Sequence, residues 1–271
     1  MREHAGNGSL VRQLIVNADD FGFTRDVNSG IVEAHRGGIL TATTLMATGA
    51  AFDDAAGLAR ENPSLDVGCH LVLVGGSPFP PTVSSLIQAL LLKRIHVYDE
   101  LRAQVEKILN AGIVPTHLDT HKHTHLLPPV LDAVARLGQE YKIPWVRRPF
   151  DFPMHASGVP WTRRVVTRGL GSLRGRFQRV LTAHGCRSTD HFAGFQITGH
   201  YDAAELAALI AKLPEGSTEF MCHPGHCTEE LSAARTRLKE SRAEELNALT
   251  SLVVKNVLRS SGVELVSYRQ L

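Results

Sequence analysis

The chain has 271 residues, four of them cysteines, and a formal net charge of +2. This length suits one (β/α) barrel or two small domains, and a hydrophobic content of 43% supports a substantial core. The charge gives no sign of a nucleic-acid partner, the cysteines are too few for a disulfide scaffold, and no apolar run reaches transmembrane length, so a cytoplasmic location is the default expectation.

Predicted strands and helices alternate along the chain after a polar segment, residues 1–8, that we expect to be disordered. The predicted strands are 14–19, 40–48, 66–73, 114–120, 145–147, 218–222 and 263–266. The predicted helices are 26–37, 52–60, 98–111, 128–141, 202–212 and 235–260. The alternation predicts a parallel α/β architecture, and no linker divides residues 9–271 into two domains.

Two adjacent carboxylates, Asp19 and Asp20, follow directly on the apolar run of the first predicted strand. Such a pair resists being ionised together unless a cation or a separation offsets the repulsion. A bound metal ion would make one acid a ligand and leave the other as a base. For an isolated pair of this kind, capping of the following helix is the alternative interpretation.

Three further predicted strands end in segments that contain histidine. These histidines are His70 near the end of the third strand, His121, His123 and His125 after the fourth, and His223 and His226 after the sixth. In (β/α) barrels the active site lies at the carboxyl ends of the parallel strands. Because Asp and His together suit a divalent ion such as Zn²⁺, Mg²⁺ or Mn²⁺, the four strand ends predict a metal site.

The fourth strand does not decide which of its histidines binds the metal. His117, Asp119, His121, His123 and His125 share one parity, so they share one face if the strand continues that far. The spacing of His121 and His125 also suits one face of a helix. A separate structural zinc site within residues 222–227 is disfavoured, because no second, distant pair of ligands closes a loop.

One stretch is strongly basic, since no acidic residue occurs between Asp151 and Asp190. Its middle contains six arginines, Arg163, Arg164, Arg168, Arg174, Arg176 and Arg179. Apolar residues within 166–181 share one side of a helical projection. The segment, with residues 161–181 at its centre, is interpreted either as a surface helix with a solvated basic face or as an interfacial helix. In the second case the protein would be peripheral at the inner face of an anionic membrane.

The same segments, taken in order, resemble those of the YdjC-like (ChbG-type) carbohydrate deacetylases. The resemblance extends over nearly the whole chain, and it is carried by residues 16–22, 30–34, 41–44, 68–71 and 116–125. It implies a distorted (β/α) TIM-like barrel, one divalent metal ion (Mg²⁺ or Zn²⁺) and the removal of acetyl groups from N-acetylated sugars. The basic stretch and the 222–226 motif are similar to the hopanoid-associated HpnK branch, which implies an N-acetylglucosaminyl group on a hopanoid lipid as substrate.

Residue roles also follow from the resemblance. The implied metal ligands are Asp20, His70 and His121, and the implied general base is Asp19. Candidates for substrate contact or proton transfer are Arg147, as a substrate-binding residue, and His125 and His223, as proton donors; His125 is preferred because it shares the parity of His121.

The residues suit this chemistry independently. Amide hydrolysis needs an activated water, a Lewis acid on the carbonyl oxygen and a proton for the departing amine, which a metal, a carboxylate and an imidazole supply. Two alternatives come from other classes. A metal-dependent phosphoesterase would use similar ligands and needs a phosphate clamp, for which Arg147 and Arg148 are the candidates. The second alternative is a carbohydrate-binding barrel that has kept the fold and lost catalysis. The sequence leaves the oligomeric state open.

Overall fold

The computed structural model describes residues 11–76, 78–152 and 173–271. The strands are β1 (Arg12–Phe21), β2 (Ala42–Leu45), β3 (Asp66–Leu71), β4 (His117–Thr120), β5 (Trp145–Val146), β6 (His191–Ala193), β7 (Gly216–Cys222) and β8 (Val263–Leu265). The helices are α1 (Arg25–Gly37), α2 (Phe52–Glu61), α3 (Val83–Leu91), α4 (Val97–Asn110), α5 (Pro128–Glu140), α6 (Arg174–Ala183), α7 (Ala203–Ala211), α8 (Glu229–Ala233), α9 (Glu240–Thr250) and α10 (Leu252–Ser260). Two short 3₁₀ helices span His121–Leu126 and Tyr268–Gln270.

The strands form one parallel sheet in the order β5-β4-β3-β2-β1-β7-β6, and β8 pairs with the start of β1. The two ends of this order approach each other. Isolated bridges join Trp145 to Arg187 and Asp151 to Phe192, beside the edge strands β5 and β6. The sheet therefore curls into a distorted barrel, which confirms the predicted fold class.

Helices with one apolar face surround the sheet. In α1 the Thr24 hydroxyl accepts a hydrogen bond from the Val27 amide and caps the first turn, while Val27, Ile31 and Ala34 are fully buried. Central strands such as β1 are buried on both faces, because one face meets the helices and the other lines the interior of the barrel. Within the described ranges, no helix has both the length and the apolar character needed to cross a bilayer.

Several element boundaries differ from the predicted ones. The predicted helix 235–260 is interrupted at Ser251, whose backbone is extended and whose hydroxyl accepts from the Val253 amide to cap α10. The short strand β6 and the helix α3 were not predicted, although Thr82 and Ser85 form a capping box at the start of α3. A strand of three residues is too short to show a period.

The fourth strand is also shorter than predicted. β4 begins at His117 rather than at residue 114, and after Thr120 the chain turns into a 3₁₀ helix in which Lys122 and His123 have φ angles of 53° and 52°. The alternation of the strand therefore does not extend to His123 and His125. The predicted tail, residues 1–8, and most of the basic stretch, residues 153–172, lie outside the described ranges.

Candidate metal and active site

Both carboxylates of the acidic pair lie at the carboxyl end of β1 and line the main cavity. Successive side chains of a regular strand point to opposite faces, but Asp20 has a φ of 69°, in the left-handed region that is unfavourable for a residue other than glycine. This departure from strand geometry lets neighbouring side chains face the same cavity. Backbone strain of this kind is concentrated at functional sites.

Three donor atoms from separate strand ends converge. The Asp20 Oδ1 atom lies 3.4 Å from His70 Nε2 and 3.3 Å from His121 Nδ1, and the two nitrogens are 3.2 Å apart. Donors that surround one Zn²⁺ at about 2.0–2.2 Å have separations of this order. Asp20 Oδ1 is buried and has no hydrogen-bond partner among the described residues. The three atoms therefore fit a divalent ion, and the ligand roles of these residues stay a prediction.

Asp119 sets the orientation of His70. Its Oδ1 accepts a hydrogen bond from His70 Nδ1 at 2.7 Å, and Thr44 donates to Asp119 Oδ2 at 3.1 Å. With the proton on Nδ1, the lone pair of His70 lies on Nε2 and faces Asp20 and His121. A carboxylate–histidine pair of this kind commonly supports a metal ligand.

The electrostatic potential at His70 favours a positive charge. Burial lowers the pKa of this imidazole, but the charge and hydrogen bond of Asp119, together with the nearby carboxylates of Asp20 and Asp19, outweigh burial and raise the pKa to about 10. At Asp20, burial raises the pKa, but Arg242 and the two histidines hold it well below its usual value. Asp20 is therefore a carboxylate, and the potential that binds a proton at His70 would equally bind a metal cation.

A fully buried guanidinium lies behind Asp19. Arg147 donates to Asp19 Oδ1 at 2.6 Å, to Asp19 Oδ2 at 2.7 Å and to Glu219 Oε1 at 2.7 Å, and it forms an ion pair with Asp119 at 2.6 Å. Burial raises the pKa of Asp19 although Arg147 opposes this effect. Arg147 is 1% exposed and is not among the cavity-lining residues, so its guanidinium lies inside the barrel, and its role as a substrate-binding residue stays a prediction.

The two histidines proposed for proton transfer have different positions. His125 is fully buried, its Nδ1 is bonded to the Thr120 hydroxyl at 2.6 Å, and its Nε2 donates to the Arg147 carbonyl at 3.1 Å. His223 lines the cavity, and its Nε2 lies 3.8 Å from Asp19 Oδ2. Burial lowers the pKa of each imidazole to about 4. The structure therefore brings His223, and not His125, to the Asp19 carboxylate.

The cavity has a volume of about 760 Å³, which is enough for a sugar with a substituent. The Gly/Pro-rich loop after β3 contributes Gly75, Gly76, Pro78 and Phe79 to its wall. Cationic side chains from the segment between α8 and α9, Arg235 and Arg237, lie on the same wall. Asp20 and His121 thus line this pocket, and His70 Nε2 lies within 3.4 Å of the donor atoms of both.

Two charged residues of α9 that the sequence did not indicate belong to the site. Arg242 donates to Asp20 Oδ2 at 2.5 Å, and Glu245 accepts from the His223 amide at 2.5 Å, from the Gly199 amide at 2.8 Å and from the Tyr201 hydroxyl at 3.0 Å. The other charged residues of α9, Glu240 and Glu244, are typical of an exposed helix, so the local sequence offered no signal for the burial of Arg242 and Glu245.

The fold and the donor set define an α/β-barrel protein with a candidate divalent-metal site at the carboxyl ends of its strands. Residues 13–260 match the family described as YdjC-like protein, and the chain belongs to this family. A carbohydrate deacetylase of Brevibacillus brevis is 35% identical over 271 residues, covering 96% of this chain and 99% of its own. A chitooligosaccharide deacetylase of Salmonella typhimurium is 34% identical over 268 residues, and the match covers 93% of this chain and 96% of the relative.

The fold is shared with a solved structure over nearly its full length. A protein of Enterococcus faecalis V583, described as a candidate for cellobiose-phosphate cleavage, superimposes with a TM-score of 0.75 at 26% identity and covers 96% of this chain and 98% of its own.

Proposed function

We propose that this protein is a metal-dependent hydrolase that removes the acetyl group from an N-acetylated sugar. The observation that carries the proposal is the convergence of Asp20 Oδ1, His70 Nε2 and His121 Nδ1 within 3.4 Å of one another. A second carboxylate, that of the adjacent residue Asp19, lines the same cavity. The names of the relatives, carbohydrate deacetylase and chitooligosaccharide deacetylase, supply the substrate class.

Asp20, His70 and His121 would hold the ion. Two imidazoles among three donors favour Zn²⁺ over Mg²⁺, which prefers oxygen ligands. When bound, a divalent ion supplies a Lewis acid for the acetyl carbonyl and lowers the pKa of water. Three protein ligands, one carboxylate oxygen and two imidazole nitrogens, are the number found in catalytic zinc sites.

Asp19 is the proposed base that takes a proton from the attacking water. Each of its oxygens accepts a hydrogen bond from Arg147, and a carboxylate oxygen has a further acceptor position for water. His223, whose Nε2 lies 3.8 Å from Asp19 Oδ2, is the proposed residue that passes this proton to the departing nitrogen as the C–N bond breaks. His125 remains a candidate only if the chain around it rearranges, because both of its ring nitrogens are hydrogen-bonded.

The phosphoesterase alternative loses its candidate clamp. Arg147 is bonded to three carboxylates in the interior, and Arg148 donates to the backbone carbonyl of Asp190 at 2.6 Å. Neither guanidinium lines the cavity. A carbohydrate-binding barrel without catalysis does not need a second carboxylate beside the donor set.

The carrier of the sugar is the finer part of the proposal. A hopanoid-linked N-acetylglucosaminyl group is the substrate that the resemblance to the HpnK branch implies, and docking on an anionic membrane is the proposal derived from the basic stretch. In its described part, α6, the apolar residues Phe177 and Leu181 are buried while Arg174, Arg176 and Arg179 are exposed. The arginines are therefore available to lipid headgroups, whereas the apolar side of α6 packs against the protein.

The test is acetate release from a panel of N-acetylglucosaminyl compounds, soluble and lipid-linked, with Zn²⁺, Mg²⁺ or a chelator. We expect release that the chelator abolishes and that is absent from an Asp20→Ala variant. No release from any compound with any metal would contradict the proposal. Release from the lipid-linked compounds alone would support the membrane carrier.

A further inference from the structure

Arg242 has an unusual environment for an arginine on an outer helix. Its side chain is 1% exposed, its Nη2 donates to Asp20 Oδ2 at 2.5 Å, and its Nε lies 3.4 Å from the Leu238 carbonyl oxygen. Its Nη1 is buried and has no hydrogen-bond partner among the described residues. A guanidinium that is buried with an unpaired N–H group carries a large desolvation penalty.

A purely structural role does not account for this arrangement. Replacing a buried ion pair by apolar side chains is often neutral or stabilising for a fold. Among the described residues, Asp20 is the one carboxylate that forms an ion pair with Arg242. The penalty of burying Arg242 is thus offset at one place, the carboxylate that we assign to the metal.

The consequence lies in how Asp20 faces the two histidines. Arg242 occupies Oδ2, so a single oxygen, Oδ1, points to His70 Nε2 and His121 Nδ1. A carboxylate without such a partner is free to rotate and to offer both oxygens to an ion. Packing also restrains Arg242, because a Cβ atom at Gly225 would lie 3.3 Å from its Cδ.

We propose that Arg242 is a positioning residue that keeps Asp20 a one-oxygen metal ligand. The inference rests on the proposed function, since it requires a divalent ion at Asp20, His70 and His121. Arg242 also lines the cavity, and its proposed role is exerted through the bond to Asp20 Oδ2. Its role is to keep the second carboxylate oxygen away from the ion and thereby preserve the low coordination number that catalysis needs.

The experiment replaces Arg242 with Met and loads the protein with Co²⁺, whose visible absorption weakens as its coordination number rises. We expect Arg242→Met to retain Co²⁺, to absorb more weakly per bound ion because Oδ2 joins the coordination, and to turn over about 10–100-fold more slowly at saturating metal. An Arg36→Met variant is the matched control, because Arg36 bonds to Asn62 at 2.7 Å on the outer helix α1, away from the cavity. The control should match the parent in absorption and turnover.

A second measurement covers the case in which Arg242→Met does not fold. In Arg242→Ala, low millimolar guanidinium should restore the absorption and part of the turnover, whereas urea, which has a similar shape and no charge, should not. An unchanged spectrum and unchanged turnover in Arg242→Met would overturn the inference, as would equal rescue by urea and guanidinium. If the parent protein itself bound no divalent ion, the proposed function would fail, and this outcome differs from failure at Arg242 alone.

Discussion

At the scale of single residues, the two adjacent acids have different surroundings. Asp19 is bound by Arg147 through both oxygens, whereas Asp20 has one oxygen on Arg242 and the other facing two histidines. Adjacent carboxylates repel each other, and here each is compensated by its own guanidinium. The geometry therefore separates a proposed base from a proposed ligand.

The first prediction concerns this separation. Asp19→Asn should retain the metal, because Asp20, His70 and His121 are unchanged, and should lower turnover by about 10²–10⁴-fold through loss of the base. Metal content by elemental analysis and acetate release measure the two effects. Loss of the metal together with activity would mean that the roles of the two acids are reversed.

The second prediction concerns the proton donor. His223→Ala should lose the basic limb of the pH–rate profile, because a proton donor acts only while it is protonated. His223 is the preferred donor because its Nε2 lies 3.8 Å from Asp19. His125→Ala should keep the shape of the profile and lower stability instead, because a buried, doubly hydrogen-bonded ring is removed. The measurements are the pH–rate profile and the thermal unfolding of each variant. A lost limb in His125→Ala and an intact profile in His223→Ala would assign the role to His125.

At the scale of elements, the loop after β7 is held between two helices. The Gly225 amide donates to the Arg242 carbonyl of α9 at 3.2 Å, and the His226 amide donates to the Asp26 carbonyl of α1 at 3.0 Å. A Cβ atom built at Gly30 of α1 would lie 2.5 Å from Gly225 Cα. The close approach of two backbones thus fixes the loop that carries His223.

The third prediction tests this contact. Gly30→Ala should destabilise the protein by roughly 1–3 kcal/mol, because the backbone of the loop must shift. It should also lower turnover, since His223 moves with the loop. Gly37→Ala in the same helix is the matched control: a Cβ there has no neighbour within 4 Å, so stability should be retained or slightly raised. Thermal unfolding and acetate release of both variants are the measurements. Equal stability and equal turnover of Gly30→Ala and Gly37→Ala would show that the contact between Gly30 and Gly225 does not hold the loop.

At the scale of the whole molecule, the barrel interior contains a network of charges. Arg147, which follows β5, bonds to carboxylates on β1, β4 and β7, namely Asp19, Asp119 and Glu219. The guanidinium of Arg147 therefore links the chain after β5 to the strands β1, β4 and β7. The barrel encloses this network, so its stability depends on the pairing remaining intact.

The fourth prediction follows from this dependence. Arg147→Met should destabilise the fold by about 3–5 kcal/mol, because it leaves three buried carboxylates without their cation. For a chain of this size each kcal/mol lowers Tm by about 2–4 °C. The neighbouring Arg148→Met removes a bond to the Asp190 carbonyl and should have a small effect. Calorimetry measures the Tm of both variants. If Arg147→Met and Arg148→Met had similar Tm values, the charge network would not be a main source of stability.

Much of the architecture and the place of the metal site at the strand ends could be predicted from local patterns in the sequence, whereas the particular donor set followed from the resemblance to the YdjC-like family. Apolar runs that alternate with amphipathic segments predicted the parallel α/β barrel, and acids or histidines directly after such runs predicted the strand-end site. Asp20, His70 and His121 converge because the carboxyl ends of parallel strands meet at one side of the sheet. That outcome follows from topology and needs no knowledge of side-chain packing.

The tertiary structure alone decided which charged residues lie inside. Arg242 and Asp20 are 222 positions apart in the chain, and Arg147 and Asp19 are 128 apart, so no local pattern relates them. The parity that favoured His125 ends where β4 turns into a 3₁₀ helix after Thr120, and His223, which follows the distant strand β7, lines the cavity instead. Burial of a charge is set by what the curled sheet and its helices enclose, and this enclosure is a property of long-range contacts that periodicity does not contain.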